Sequence, residues 1–271
     1  MHYGIEVVTF GEFGDPRVVV RLARAAEAAG WEGLWVWDHI VFPYGVGDPW
    51  VILCAVAAST RRLKLCPGIA PLPRYRPHVL ARLLTSLDIL SEGRIIFGAG
   101  LGGVAEEFTA YGESGDAKAR AGMLDEGLEV LTRLWSGEPV THHGKYYSLE
   151  NVVHSPVPAQ RPRLPVWIGG ESRAARRRAA RWDGWIVNAV NENCETVRTP
   201  ELLAEQVAYL RQHRANAAPF DVALDGLSQP GDGARAREYE AAGATWWFET
   251  LFGLRGSVEE MLRRVEAGPP G

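Results

Sequence analysis

Cysteine is scarce in this chain of 271 residues: Cys54, Cys66 and Cys194 lie far apart and are odd in number. They build neither a disulfide framework nor a paired-cysteine metal site, so a reducing, cytoplasmic setting is expected. Clustered metal ligands are missing as well. The seven histidines include no HxH or HExxH, and only His142 and His143 are adjacent, on an extended segment where they diverge. No metal site is expected, and metal-dependent hydrolysis is disfavoured. Neither GxSxG nor a Walker A sequence occurs. No run approaches the ~20 apolar residues that cross a bilayer, and MHYGIEVV enters a strand pattern with no signal-peptide pattern before it. With a formal net charge of −4, a nucleic-acid or anionic-membrane partner has no electrostatic support.

Short apolar runs alternating with amphipathic helices are what the sequence does contain. Hydrophobic content of 46% suits a buried core, and the length matches the typical ~250 residues of one (β/α)8 barrel, so a single domain over 1–271 is expected. Strands are predicted at 5–10, 33–39, 63–69, 95–97, 166–169, 185–190, 221–227 and 245–249. Helices are predicted at 16–30, with Asp15 as N-cap, and at 49–59, 77–90 and 119–135. The strict alternation predicts an α/β fold with a parallel sheet closed into a (β/α)8 TIM barrel; an open doubly wound sheet reads much the same. Two long connections interrupt it, 103–118 after strand 4 and 136–164 before strand 5, and such insertions in compact domains are commonly lids or binding loops. The Pro/Gly-rich end, 268–271, reads as a frayed tail.

The chain is organised around SEGRIIFGAGLGGVAEEFTAYG, residues 91–112, where a turn and a short strand open into glycines, Gly100 and Gly102 among them. Glycines at the carboxyl end of a buried strand let a ligand approach the backbone, or merely permit a tight exit; both readings stand. Asp38 and His39 form an ionisable pair at the carboxyl end of the second strand, the end that faces the site in a barrel, and strand alternation would turn only one of them into it. The third-strand exit, CPGIAPLP, concentrates prolines and Gly68 in a sharply bent segment. Gly169, Gly170 and Ser172 lead into a helix opening near Arg173, which fits a phosphate at a helix N-terminus or a plain N-cap. In the run Arg173, Arg176, Arg177, Arg178 and Arg181, positions 173, 177 and 181 share one stripe that reads as a solvated face. Most of the ten tryptophans fall on strands and read as core, one or two lining a pocket.

Taken together, TSLDILSEGRIIFGAGLGG, AEEFTAYG, WVWDHI, HGKYYSLE and PVWIGGES followed by AARWDGW resemble the luciferase-like monooxygenase superfamily, from Gly4 to about Gly256. The resemblance implies a (β/α)8 enzyme that uses coenzyme F420 or FMN on a small-molecule substrate. It implies a flavin-type ring in the barrel mouth, a phosphate held at Gly169, Gly170, Ser172 and Arg173, and a non-proline cis peptide between Gly68 and Ile69 supporting the ring. Pro67 stands where relatives commonly carry Thr or Ser. Gly103 replaces the acidic residue of some F420-dependent sugar dehydrogenases, so that activity is not implied. His39 or Asp38 would handle protons. F420 is favoured over FMN because Arg74, Arg76 and Arg173 are expected on the face where its polyanionic tail would lie. A homodimer is expected; a non-catalytic flavin-binding protein on the same barrel is the reading from another class.

Overall fold

The computed structural model describes residues 1–42, 44–191, 193 and 195–271. Cys194, one of the three cysteines, lies outside the described residues. In chain order the strands and helices are β1 (His2–Val7), α1 (Pro16–Ala28), β2 (Gly33–Val36), α2 (Pro49–Ser59), β3 (Lys64–Pro67), β4 (Ala70–Pro71), α3 (Pro77–Leu90), β5 (Phe97–Gly100), α4 (Glu106–Thr109), α5 (Ala117–Leu134), β6 (Val140–His143), β7 (Ser148–Val152), β8 (Val166–Gly169), α6 (Arg173–Ala179), β9 (Gly184–Val187), α7 (Pro200–His213), β10 (Asp221–Gly226), α8 (Ala234–Ala241), β11 (Trp246–Leu251) and α9 (Val258–Glu266).

Nine strands form one parallel sheet in the order β3-β2-β1-β11-β10-β9-β8-β5-β4. β3 and β4 are two halves of one barrel strand: β3 pairs with β2 and β4 with β5, and the break falls at Gly68–Ile69. A parallel bridge from Leu65 to Ile95 joins the two edges, so the eight-stranded TIM barrel is the fold and the open-sheet alternative is set aside. Helix starts follow from local chemistry. Asp15, Asp48 and Thr199 each accept a hydrogen bond from a backbone N–H in the first turn, and a proline follows each, where its missing N–H costs nothing.

Two apolar layers hold the barrel. The outer one lies between strands and helices and includes Leu22, Ile52, Val56, Leu84, Leu128 and Leu210. The inner one fills the lumen with Trp35, Cys66, Ile96, Trp167, Ile186, Ala223, Trp246 and Phe248. At the foot of the barrel the Arg94 guanidinium donates to the carbonyls of Ala57, Thr60, Leu63 and Ser91, fastening α2 to the turn that enters β5.

Three expectations need correction. The insertion at 136–164 is not irregular throughout, because β6 and β7 pair as an antiparallel hairpin. Residues 268–271 are not a frayed tail: Pro270 is buried, and Tyr3 Oη donates to the Gly271 carbonyl at 2.9 Å. The second strand ends at Val36 rather than His39, so residues 37–39 leave the sheet and strict alternation no longer governs them.

Candidate active site

A cavity of about 170 Å³ opens at the carboxyl ends of β2, β4, β5 and β9, lined by Trp37, Asp38, His39, Gly68, Ile69, Pro71, Gly102, Gly103, Glu107 and Asn188. Both members of the predicted pair therefore line it, in place of the expected one. They differ in what they can do. Asp38 is engaged: its carboxylate pairs with Arg74 and accepts from Tyr75 Oη at 2.6 Å. Burial pushes the Asp38 carboxyl up to about 6, while the Arg74 charge and the Tyr75 hydroxyl oppose that shift. His39 is the accessible one, with 20% of its side chain exposed.

Glu107, on α4, organises the loop that carries His39. Its Oε1 lies 3.1 Å from His39 Nδ1 and accepts from the backbone N–H groups of Ile40 (2.7 Å) and Val41 (3.2 Å), while Arg74 reaches its Oε2 at 3.3 Å. Burial draws the His39 pKa below the ordinary histidine value, against the raising effect of Glu107, so the ring is neutral at pH 7. With the Nδ1 proton directed at the Glu107 carboxylate, Nε2 keeps its lone pair, and among the described residues it has no hydrogen-bond partner. The ring packs among Phe10, Trp37 and Phe42. The result is an oriented, uncharged base in a largely apolar cleft.

The Gly68–Ile69 peptide is cis, as the resemblance implied, and both residues line the cavity. Glycines around it divide into two groups. Gly102, with φ of 83°, and Gly103 face the cavity, and nothing lies within 4 Å of where a Gly103 methyl would be. Gly100 and Gly169 instead make room for Ile69: a methyl on either would strike the isoleucine side chain, which lies against both β5 and β8.

Gly169, Gly170, Ser172 and Arg173 are not among the lining residues of that cavity. Gly170 adopts φ of 119°, and its carbonyl accepts from Trp185 Nε1 at 2.8 Å. Ser172 caps α6 by accepting from the Ala175 N–H at 3.1 Å. The Glu171 carboxylate pairs with Arg198 at 3.0 Å and so is engaged by a cation at the loop. Arg173 is exposed and lies over the Tyr209 ring, toward α7. Arg173, Arg177 and Arg181, the stripe read as solvated, are exposed, whereas Arg178, off that stripe, is buried and binds Asp125 at 2.8 and 2.9 Å. Nor is Arg74 a free surface cation, because its side chain is 9% exposed and bridges Asp38 and Glu107.

Sequence reasoning missed Glu107, Tyr75 and Asn188. For Glu107 a signal existed: in AEEF the second glutamate sits beside Phe108 on the inward face of a short helix, and both are 1% exposed. A carboxylate facing inward beside a core aromatic needs partners.

The profile of the luciferase-like monooxygenase family matches residues 4–260. The chain belongs to that family. Among its relatives in the family is the F420-dependent hydroxymycolic acid dehydrogenase of Mycobacterium tuberculosis, 31% identical over 194 residues, which are 69% of this chain and 53% of that one. The chain thus spans about half the length of that relative. Two solved structures share the fold across almost the whole chain. The coenzyme F420-dependent tetrahydromethanopterin reductase of Methanopyrus kandleri superposes with a TM-score of 0.79 at 19% identity, covering 98% of this chain and 96% of the other. The oxygenating constituent of 3,6-diketocamphane monooxygenase of Pseudomonas putida, in complex with FMN, gives 0.80 at 14% identity, with 98% and 96% covered.

A planar cofactor ring fits what this family member presents. The cavity combines glycine backbone at 102 and 103, the Gly68–Ile69 peptide, and apolar faces from Trp37, Ile69 and Pro71. Outside that lining, Arg120 is buried against Phe108, and its Nε and Nη1 lack hydrogen-bond partners among the described residues.

Proposed function

We propose that this chain is an F420-dependent oxidoreductase that moves hydride between its cofactor and a small organic substrate. The observation that carries the reading is the neutral His39, held at Nδ1 by Glu107 with Nε2 unpartnered among the described residues, in a cavity walled by the Gly68–Ile69 peptide and glycines. When bound, F420 supplies the hydride chemistry. The protein's part is to orient and shield: the glycine backbone and Ile69 support the ring, and the Phe10, Phe42 and Trp37 side chains limit water around His39. His39 Nε2 takes the proton released when a substrate alcohol is oxidised, or returns it when a carbonyl is reduced. Asp38 acts through its pairing with Arg74, which also holds Glu107. Gly169, Gly170, Ser172 and Arg173 are proposed to bind the cofactor phosphate, with Gly100 shaping that wall by seating Ile69.

An FMN-dependent monooxygenase is the second reading. It is favoured by the position of Arg74, whose internal pairing removes one of three cations expected along the F420 tail. The reading extends to a cytoplasmic, single-domain homodimer. α2 has no charged side chain and leaves Val51 57% exposed, while α3 exposes Val79, Ile89 and Leu90, an apolar face suited to a second copy.

The test is anaerobic reoxidation of reduced F420, read by recovery of its fluorescence with a panel of ketones and aldehydes. Acceptor-dependent reoxidation that needs His39 supports the proposal. No acceptor-dependent reoxidation there, with product formed only from reduced FMN in a parallel aerobic assay, moves the function to the monooxygenase.

A further inference from the structure

Beside the cavity floor the lumen holds two carboxyl groups that differ from the other buried acids of the site. Asp38 and Glu107 share Arg74, and Glu249 pairs with Arg255 and Arg264. Glu6 on β1 and Asp225 on β10 have no cation partner among the described residues, and they are 0% and 1% exposed. Neutral donors surround them instead. Trp37 Nε1 donates to Glu6 Oε1 at 2.6 Å, and Thr250 Oγ1 donates to Glu6 Oε2 at 2.7 Å. The backbone N–H groups of Ala189 and Val190 donate to Asp225 Oδ1, the second at 3.1 Å. Trp37 lines the cavity, so the acceptor of its indole N–H fixes the plane of one cavity wall.

Two wholly buried carboxylates without a cation cannot both stay ionised at low cost. Across β11, Glu6 lies opposite Thr250 and Asp225 opposite lumen-facing Phe248, two positions apart on the same side, which makes the two acids near neighbours; among the described residues the groups facing Glu6, which are Trp37 after β2, Thr250 from β11 and Asp225 from β10, include no positive charge. We propose that Glu6 and Asp225 hold a proton between them beside the cofactor cavity, and that Glu6, through the Trp37 indole, is a positioning residue for the wall against which the cofactor ring packs. Burial agrees in direction: it raises the Glu6 carboxyl to about 7 and, with the Glu6 charge added, Asp225 well above its ordinary value. The pair keeps the lumen at no more than one negative charge at neutral pH. Loss of the last proton in alkali would place a second one next to an anionic cofactor and weaken binding.

The positioning half rests on the F420 or FMN reading, and the proton half does not. Infrared difference spectra of the apo-protein test the latter: wild type minus Glu6→Gln, and wild type minus Asp225→Asn, near pH 6. A protonated-carboxyl carbonyl band lost in at least one variant is expected, and its absence from wild type overturns the proposal even if both cofactors bind. For the former, F420 and FMN are titrated into wild type, Glu6→Gln and Glu6→Leu between about pH 6 and pH 9. Comparing proteins at each pH cancels titration of the ligands themselves. Glu6→Gln keeps an acceptor for Trp37 and is expected to bind within about threefold of wild type at neutral pH, without the roughly tenfold alkaline loss that one added charge produces in wild type. Glu6→Leu removes the acceptor and is expected to bind about tenfold more weakly throughout. Superposable pH profiles for wild type and Glu6→Gln overturn the proposal, as does wild-type affinity in a folded Glu6→Leu. Should Glu6→Leu fail to fold, the Glu6→Gln comparison decides alone. If neither cofactor binds wild type while the infrared band is present, the functional reading fails and the proton pair stands.

Discussion

Replacing Arg74 by methionine strikes the centre of the proposed site without touching its surface. The guanidinium joins Asp38 and Glu107, and the three side chains are 9%, 2% and 1% exposed. Methionine keeps much of the side-chain volume and removes the charge, which leaves two buried carboxylates facing each other. Removing one partner of a buried ion pair typically costs about 3–5 kcal/mol. Backbone donors from Ile40 and Val41 still hold Glu107, and Asp38 can take up a proton, so the lower end, about 3 kcal/mol near pH 8, is expected here. For a chain of this size that is a fall in Tm of about 6–12 °C. The pH dependence has a definite sign. The Asp38 carboxyl titrates near 6 with Arg74 present and higher without it, so the difference between the proteins is full above both values and shrinks as pH falls through them. Adding Asp38→Asn should recover about 1–2 kcal/mol, since the two residues are coupled. Denaturant unfolding at about pH 8 and about pH 5 measures all of this. A cost below about 1 kcal/mol at the higher pH, or one that does not change with pH, would refute the ion-pair account.

His39→Ala should lower turnover by about 10²–10⁴ while changing cofactor affinity by less than about tenfold, as separate kinetic and titration measurements will show; equal effects on both would reduce His39 to a packing residue. In wild type the acid limb of turnover should fall below the ordinary histidine range, because burial lowers the His39 pKa and the base is lost only when the ring protonates. Gly170→Asp should weaken F420 binding by more than about 100-fold in a titration, through like charge at the phosphate and a side chain at φ of 119°; unchanged affinity would remove this loop from the cofactor site.

Barrel architecture was legible because its signals are local. Asp15 before Pro16 marks the start of α1, and α2, α3 and β8 begin and end where apolar periodicity and flanking prolines place them. Strand ends were less legible, since Trp37, Asp38 and His39 follow β2 with no glycine or proline to mark where its pairing stops at Val36. The site was legible as a list of places and not as a set of bonds. Asp38, His39, Gly68, Ile69 and Gly102 do line one cavity, but nothing local says that Glu107, 68 residues beyond His39, holds its ring. Arg74 shows the same limit: sequence places it on the correct face, whereas only packing reveals that it turns inward to two carboxylates. Gly100 and Gly169 read as ligand-facing because a glycine signal does not say which neighbour needs the space, and here that neighbour is Ile69.

Everything proposed for the site turns on which cofactor it binds. Fluorescence titration of the apo-protein with F420 and FMN in parallel, at low and high salt, tests it directly. Micromolar or tighter F420 binding that weakens as salt screens the exposed Arg76 and Arg173 is expected, alongside poor FMN binding. Tight, salt-insensitive FMN binding with weak F420 binding would contradict it.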